Sequence, residues 1–221
     1  KKKLKKQLLS WNQKLDPTAV EAGIYVAWED EIRKEAYDKF VPQKVKKHLR
    51  SLQLKRILDW VENPENSPFK SVDTRNRFLK ETFISAVTEL KNTLGNDPSQ
   101  WYYGQESYKH SALTHALGAA VKSETASKLN LGPYPRGGNA YTPGSTGSNK
   151  RQSSGASFRI IVNTGDWDAT LGTNAPGQSG DPDSPFYDNL YEDWSKDTYF
   201  PVYYSKEKIE DRLYKKTHLK P

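Results

Sequence analysis

Apolar residues recur at every fourth position through Val20, Ile24, Trp28, Ile32, Ala36 and Phe40, a stripe that predicts one long amphipathic helix. Asp16-Pro17 ahead of it reads as an N-cap followed by proline at the first helical position, where a missing N–H costs nothing. Pro42 interrupts the pattern. Val45, Leu49, Leu52, Leu58 and Val61 predict a second helix, ending before Asn63-Pro64 because the residue preceding proline disfavours helical torsions. Leu79, Phe83, Ala86, Val87, Leu90 and Leu94 place a third helix after an Asp73 cap, with Gly95 as its stop. Residues 1–95 therefore read as a helical region. Beyond the turn cluster Asn96-Asp97-Pro98, Trp101, Tyr102, Tyr103 and Tyr108 predict an aromatic strand or edge segment, and 122–131 a short helix. Residues 132–157 hold six Gly, three Pro, five Ser and two Thr, the composition of a linker or of a long ordered loop over a cleft. The β-branched run 158–162 is the best strand, a second strand follows among Gly165, Gly172, Gly177 and Gly180, and a last helix lies over 205–214 with Ser205 as cap. The fold class expected for the whole is α+β, with 96–221 as a mixed region and both regions belonging to one larger domain.

Composition narrows this reading. The chain has 221 residues and no Cys, which excludes a disulfide scaffold, a thiolate metal site and a cysteine nucleophile. Only 34% of it is hydrophobic, yet 12% is aromatic, enough bulk to build a core and to argue against disorder throughout. The formal net charge is +7, but residues 1–57 carry 15 Lys and Arg against seven Asp and Glu, so the excess is confined to the first quarter. Five of the first six residues are lysine, without interleaved aromatics for base stacking, so a solvated helical surface is favoured over a nucleic-acid partner. No apolar run reaches membrane-spanning length, and no stretch within these residues has the build of a targeting signal. The chain contains no Met and opens on Lys1, which fits a processed product or a piece of a larger protein.

Motif rules yield near-misses. Gly177-Gln178-Ser179-Gly180 has its second glycine one residue too early for a nucleophile elbow. His110 and His115 are five apart, unlike a helical zinc pair, and each reads better as a satisfied histidine; His48 and His218 lie among lysines and read as solvent-facing. Asp166-Trp167-Asp168 and Asp181-Pro182-Asp183 lack the Gly and bidentate Glu of a calcium loop, and Gly137-Gly138 lacks the third glycine of a dinucleotide loop.

The segment Gly155-Ala156-Ser157-Phe158-Arg159-Ile160-Ile161-Val162, followed by Gly165-Asp166-Trp167-Asp168, resembles the closing part of the penicillin acylase (penicillin amidase) family. Thr173-Asn174-Ala175-Pro176-Gly177-Gln178-Ser179-Gly180-Asp181-Pro182, then Ser184-Pro185, Tyr187, Trp194, Tyr199-Phe200-Pro201 and Tyr204-Ser205, continue the pattern. Leu131-Gly132-Pro133, Arg136-Gly137-Gly138-Asn139, Tyr141-Thr142, Leu8-Leu9-Ser10-Trp11-Asn12 and Ala27-Trp28 are also similar to that family, so the resemblance spans nearly the whole chain.

The resemblance implies an N-terminal-nucleophile amidohydrolase with a four-layer αββα core, cleaved autoproteolytically into two subunits. The amphipathic helices here would form an outer layer, and the strands after them would complete the core. The family's nucleophile is a serine at the start of its large subunit, assisted by its own α-amino group; no segment here matches that start, so no catalytic residue and no metal ligand is assigned to this chain. The expected function is the C-terminal portion of an enzyme that cleaves a small acyl-amide substrate, the acyl group left open among β-lactam side chains, acyl-homoserine lactones and other acylamines. The implied partner is the N-terminal part of the same precursor or its cleaved subunits. The resemblance also implies a periplasmic or secreted location and calcium held elsewhere in the complete protein, with no cofactor in this chain. Arg136, Asn139 and His110 are the candidate substrate-facing residues, the first two because they lie in the glycine-rich loop that follows the family pattern. The competing reading is a non-catalytic glycan- or peptide-binding module built on exposed aromatics near Trp101–Tyr108 and Tyr199–Tyr204.

Overall fold

The computed structural model describes residues 2–147 and 150–219; Lys1, positions 148 and 149 of the long loop, and residues 220 and 221 lie outside the described residues. Helix and strand are both present, as expected for α+β, and contacts divide the chain into two compact units, residues 1–107 and 108–221.

The first unit is helical: α1 (Lys2–Leu9), α2 (Val20–Phe40), α3 (Gln43–Lys46), α4 (Leu54–Glu62) and α5 (Val72–Leu94). The every-fourth-residue stripe of α2 is borne out, since Ile24 and Ala36 are fully buried and Ile32 and Phe40 pack on the core. Asp16 caps no helix. It closes a turn one step earlier, its Oδ1 accepting from Thr18 N at 2.8 Å and Thr18 Oγ1 at 2.6 Å, and α2 begins after Ala19. The expected second helix is two helices, because the chain breaks at 47–53 between α3 and α4. Only Ile57 of α4 is fully buried; it joins Ala36, Phe69 and Phe78 in a core cluster where Phe40 meets Phe69 edge-on at 5.2 Å. Helix α5 is capped by Ser71, which accepts from Thr74 N at 3.2 Å, and not by Asp73, which is the second residue of the helix. Gly95 ends it at φ 88°, as expected of a stop glycine. The buried stripe of α5 includes Phe78 and Thr82, because Thr82 Oγ1 accepts from Trp28 Nε1 of α2 at 3.1 Å and donates to Phe78 O at 3.0 Å.

Trp101 and Tyr103 form no strand. They are buried in an irregular segment laid on the start of α2, with Tyr103 N donating to Ala19 O at 3.1 Å and Gly104 N to Pro17 O at 2.6 Å. A Cβ on Gly104 would lie 2.2 Å from Pro17 Cβ, so only glycine permits this approach. Burial, helped by Asp30 and Glu29, pushes the Tyr103 phenol far above its ordinary value.

The second unit carries two small sheets. In the first, β1 (His110–Leu113) pairs antiparallel with β2 (Leu131–Pro135) and parallel with β3 (Arg151–Gln152). In the second, β4 (Arg159–Ile161), β5 (Leu171–Thr173) and β6 (Phe200–Pro201) form an antiparallel ladder in that order. The helix expected over 122–131 is α6 (Ser123–Leu129), Leu131 having passed to β2; α7 (Tyr191–Ser195) follows, and the last helix, α8 (Lys206–Asp211), is capped by Ser205 as expected. Leu131, Tyr191 and Trp194 form a core cluster of the unit.

Candidate functional site

Arg136 leaves the end of β2 with its backbone N–H on Lys109 O, and its side chain is 1% exposed. Nε donates to Gln152 Oε1 at 3.0 Å, while Nη1 donates to Ser195 O at 2.7 Å and to Asp197 Oδ2 at 2.8 Å. Arg159, from β4, takes the other Asp197 oxygen and donates through Nη2 to Trp194 O at 2.6 Å. Both guanidiniums lie 5.2 Å from the Trp194 ring, whose Nε1 donates to Ala156 O at 2.9 Å. Burial raises the Asp197 pKa, but hydrogen bonds and charge from Arg136 and then Arg159 outweigh it and hold the carboxyl below its ordinary range. This network ties β2, β3 and β4 to the end of α7 through two bidentate-capable cations and one carboxylate. Arg136 Nη2 and Arg159 Nε have no partner among the described residues and no contact with solvent, so the guanidiniums present no open anion seat.

Asn139 organises its own turn. Its N–H donates to Thr142 Oγ1 at 2.9 Å and its Oδ1 accepts from Tyr141 N at 2.9 Å. Buried Lys109 reaches the same loop farther on, donating to Thr146 O at 2.8 Å and Gly147 O at 2.9 Å. The stretch expected as a linker or long loop over 132–157 begins in β2 and includes β3, and the described part of the connection between those strands is ordered, pinned by Arg136 and Lys109. His110 stands on β1 opposite Pro135 and Arg151, with Nδ1 buried and without a hydrogen bond, and His115 is satisfied by Leu117 N at 3.1 Å. The β1–β2 pairing brings the backbones of His110 and Arg136 to one end of the sheet, and the Asn139 turn follows directly. No hydrogen bond joins the three side chains.

Several buried polar residues in this unit escaped the sequence reading. Ser111 and Tyr191 are buried, and burial lifts the Tyr191 phenol above its ordinary value; Tyr134 adds to the rise, while the Ser111 hydroxyl and the charges of Arg151 and Arg136 oppose it. Asp197 lies 61 residues from Arg136, and nothing in local spacing marks such a pair.

The near-miss motifs are turns. Ser179 Oγ accepts from Asp181 N at 3.1 Å, Asp181 Oδ1 from Asp183 N at 3.0 Å, and Asp166 Oδ1 from Asp168 N at 3.1 Å. Asp168 Oδ1 also accepts from Tyr204 N and Ser205 N, both at 2.8 Å, and these bonds hold its pKa down. With Asp183 paired to Lys128 at 2.8 Å, these carboxylates do not make a calcium seat, and among the described residues no three His, Asp or Glu gather to hold a metal. Of the exposed aromatics expected around Trp101–Tyr108, Trp101, Tyr103 and Tyr108 are buried and Tyr102 is exposed; near Tyr199–Tyr204, Phe200 and Tyr204 are exposed.

Among the described residues, two apolar surfaces bear on assembly. In the helical unit an open groove of about 440 Å³ is lined by Leu8 and Leu9 of α1, Trp28 of α2 and Leu79 and Phe83 of α5. In the second unit, alternation along β4 puts Phe158, Ile160 and Val162 on the sheet face away from Arg159, and each is about half exposed. Opposite Ile160 is Gly172, where a Cβ would lie 2.7 Å from Val202 Cγ2 and within 3.6 Å of Phe158 and Phe200 side-chain carbons, so one apolar face runs across all three strands.

Residues 1–211 match the sequence model of the family described as penicillin amidase. The acyl-homoserine lactone acylase QuiP of Pseudomonas fluorescens strain Pf0-1 is 27% identical over 229 residues, covering 96% of this chain and 27% of its own length. The protein of the same name from Pseudomonas aeruginosa PAO1 is 25% identical over 94% of this chain and 27% of its own, and that from Pseudomonas syringae pv. syringae B728a is 24% identical over 92% and 26%. The chain therefore spans about a quarter of the length of the curated relatives it matches. With one family model covering all but its last ten residues, and with the sheet residues of that match forming a paired ladder, the chain belongs to the penicillin amidase family.

Proposed function

We propose that this chain is a structural portion of a penicillin acylase-like amidohydrolase that cleaves an acyl-amide bond, and that the nucleophile lies in another part of the complete protein. The observation that carries the reading is the apolar face of the β4–β5–β6 sheet, which in water is an exposed hydrophobic surface with a free β4 edge. A second sheet laid on Phe158, Ile160 and Val162 would give the inner layers of a four-layer αββα core. The partner is then the N-terminal part of the same precursor or its cleaved subunits. Chemistry follows the family: a serine hydroxyl assisted by its own α-amino group attacks the amide carbonyl, and preorganised N–H donors stabilise the oxyanion. Arg136 and Asn139 hold the connection from β2 to β3 in shape for that assembly, and His110, on β1 beside that connection and with no hydrogen bond at Nδ1, is the candidate of the three to face a ligand in the complete protein. Calcium, where the complete protein binds it, takes ligands outside this chain. A periplasmic or secreted location accords with the family. The relatives' names make N-acyl-homoserine lactones the first substrates to try.

The test is an assay of the complete protein against acyl anilides and N-acyl-homoserine lactones, with this chain alone beside it. Release of free amine by the complete protein, none by this chain, is the expected result. Turnover by this chain alone would overturn the structural role, and inactivity of the complete protein across both panels would overturn the acylase reading.

A further inference from the structure

Segment 43–58 carries six cations, Lys44, Lys46, Lys47, Arg50, Lys55 and Arg56, and no acid. The nearest acids in sequence already have partners: Asp38 binds Lys46 at 3.4 Å, and Asp59 pairs with Lys55. Lys44, Lys47, Arg50 and Arg56 are exposed and form no ion pair among the described residues. Leu49 and Leu58 stand among them at 38% and 47% exposure. This surface is built, not frayed. The Tyr37 hydroxyl of α2 donates to Leu49 O at 2.6 Å, Lys46 Nζ lies 5.1 Å from the Tyr37 ring, and Ile57 is fully buried beneath α4. The break between α3 and α4 is thereby held with Lys47, His48, Leu49 and Arg50 facing out. A shallow hollow of about 310 Å³ opens between Leu49, Leu52, Ser51, Lys55 and Arg56, with the paired Asp59 on its wall.

We propose that this segment is a docking surface for an anionic lipid membrane, with phosphate headgroups on Lys47, Arg50 and Arg56 and the leucines at the headgroup–acyl boundary. Clustered unpaired cations attract an anionic leaflet, and each is worth roughly a fivefold gain in partitioning near the surface. Protruding leucines add apolar contact that a polyanion in solution does not reward. Nucleic acid is the poorer fit, because the segment contains no Phe, Tyr or Trp and offers a base only the single ring of His48 to stack on. The inference does not depend on the acylase reading, since it concerns an outer surface of the helical unit.

The experiment is co-sedimentation of the complete protein with phosphatidylcholine vesicles, with and without about one-third phosphatidylglycerol. Binding to the anionic vesicles alone, lost in high salt, is expected. Lys47→Glu with Arg50→Glu should lower it by about 25-fold or more, and Leu49→Ser should lower it several-fold. The charge-matched control, Lys122→Glu with Lys216→Glu, should bind like the parent, and circular dichroism confirms that every variant is folded. Failure to sediment at low salt, equal loss in the control, or tighter retention of duplex DNA or polyglutamate than of vesicles would each overturn the proposal.

Discussion

Asp197 accepts from two arginines at once while half of its side chain stays in water. Because its folded pKa lies below its ordinary value of 3.8, its contribution to stability is fully present above that value. It is lost as pH falls through the lower, folded value. Replacing it by Asn should therefore cost about 1 kcal/mol at neutral pH, a figure discounted for solvent screening. The difference between parent and Asp197→Asn should stay flat above about pH 5 and vanish in stronger acid. Urea unfolding at several pH values measures this; a difference that grew on acidification would refute the clamp. The sequence marks Arg136 as a loop residue able to meet an acid, but the acid comes from after α7 and reaches it only through tertiary folding. Site legibility ends there, because composition and spacing report neighbours along the chain, and this network joins four separated strands and turns.

At the scale of elements, periodicity carried the long helices and failed where the chain is short or irregular. α2 and α5 span 21 and 23 residues, long enough for an apolar stripe to declare itself. The strands hold two to five residues, and their alternation is too brief to separate from loop. The break between α3 and α4 was hidden because Leu49 and Leu52 keep a helical interval across it. Asp73 has the right chemistry for a cap, but Ser71 holds the extended torsions that let its hydroxyl reach Thr74 N. Ser71→Ala should cost about 1 kcal/mol and Asp73→Ala only a few tenths, through the helix dipole, in thermal unfolding of matched variants. Packing gives a second contrast on α4. Ile57→Ala should cost about 3 kcal/mol, and Leu58→Ala, nearly half exposed, under about 0.5 kcal/mol.

At the scale of the molecule, the β4–β5–β6 sheet distinguishes a self-sufficient module from part of a larger core. Ile160 is 48% exposed and opposes Gly172, so a carboxylate there meets water on this chain alone. Ile160→Asp should then shift the chain's own stability by no more than about 1 kcal/mol, the range of strand preference on an open face. Its solubility should rise, because the apolar patch is interrupted. In the complete protein the outcome reverses if a second sheet covers that face, since an unpaired carboxylate would be buried between layers at a cost of several kcal/mol. Folded yield should fall, and with it any acyl-amide hydrolysis that the complete protein shows, while Tyr214→Asp, at a residue 92% exposed, should leave both unchanged. Equal tolerance of Ile160→Asp in the two contexts would mean that the sheet face stays in water throughout, and the four-layer arrangement would have to be abandoned for this chain.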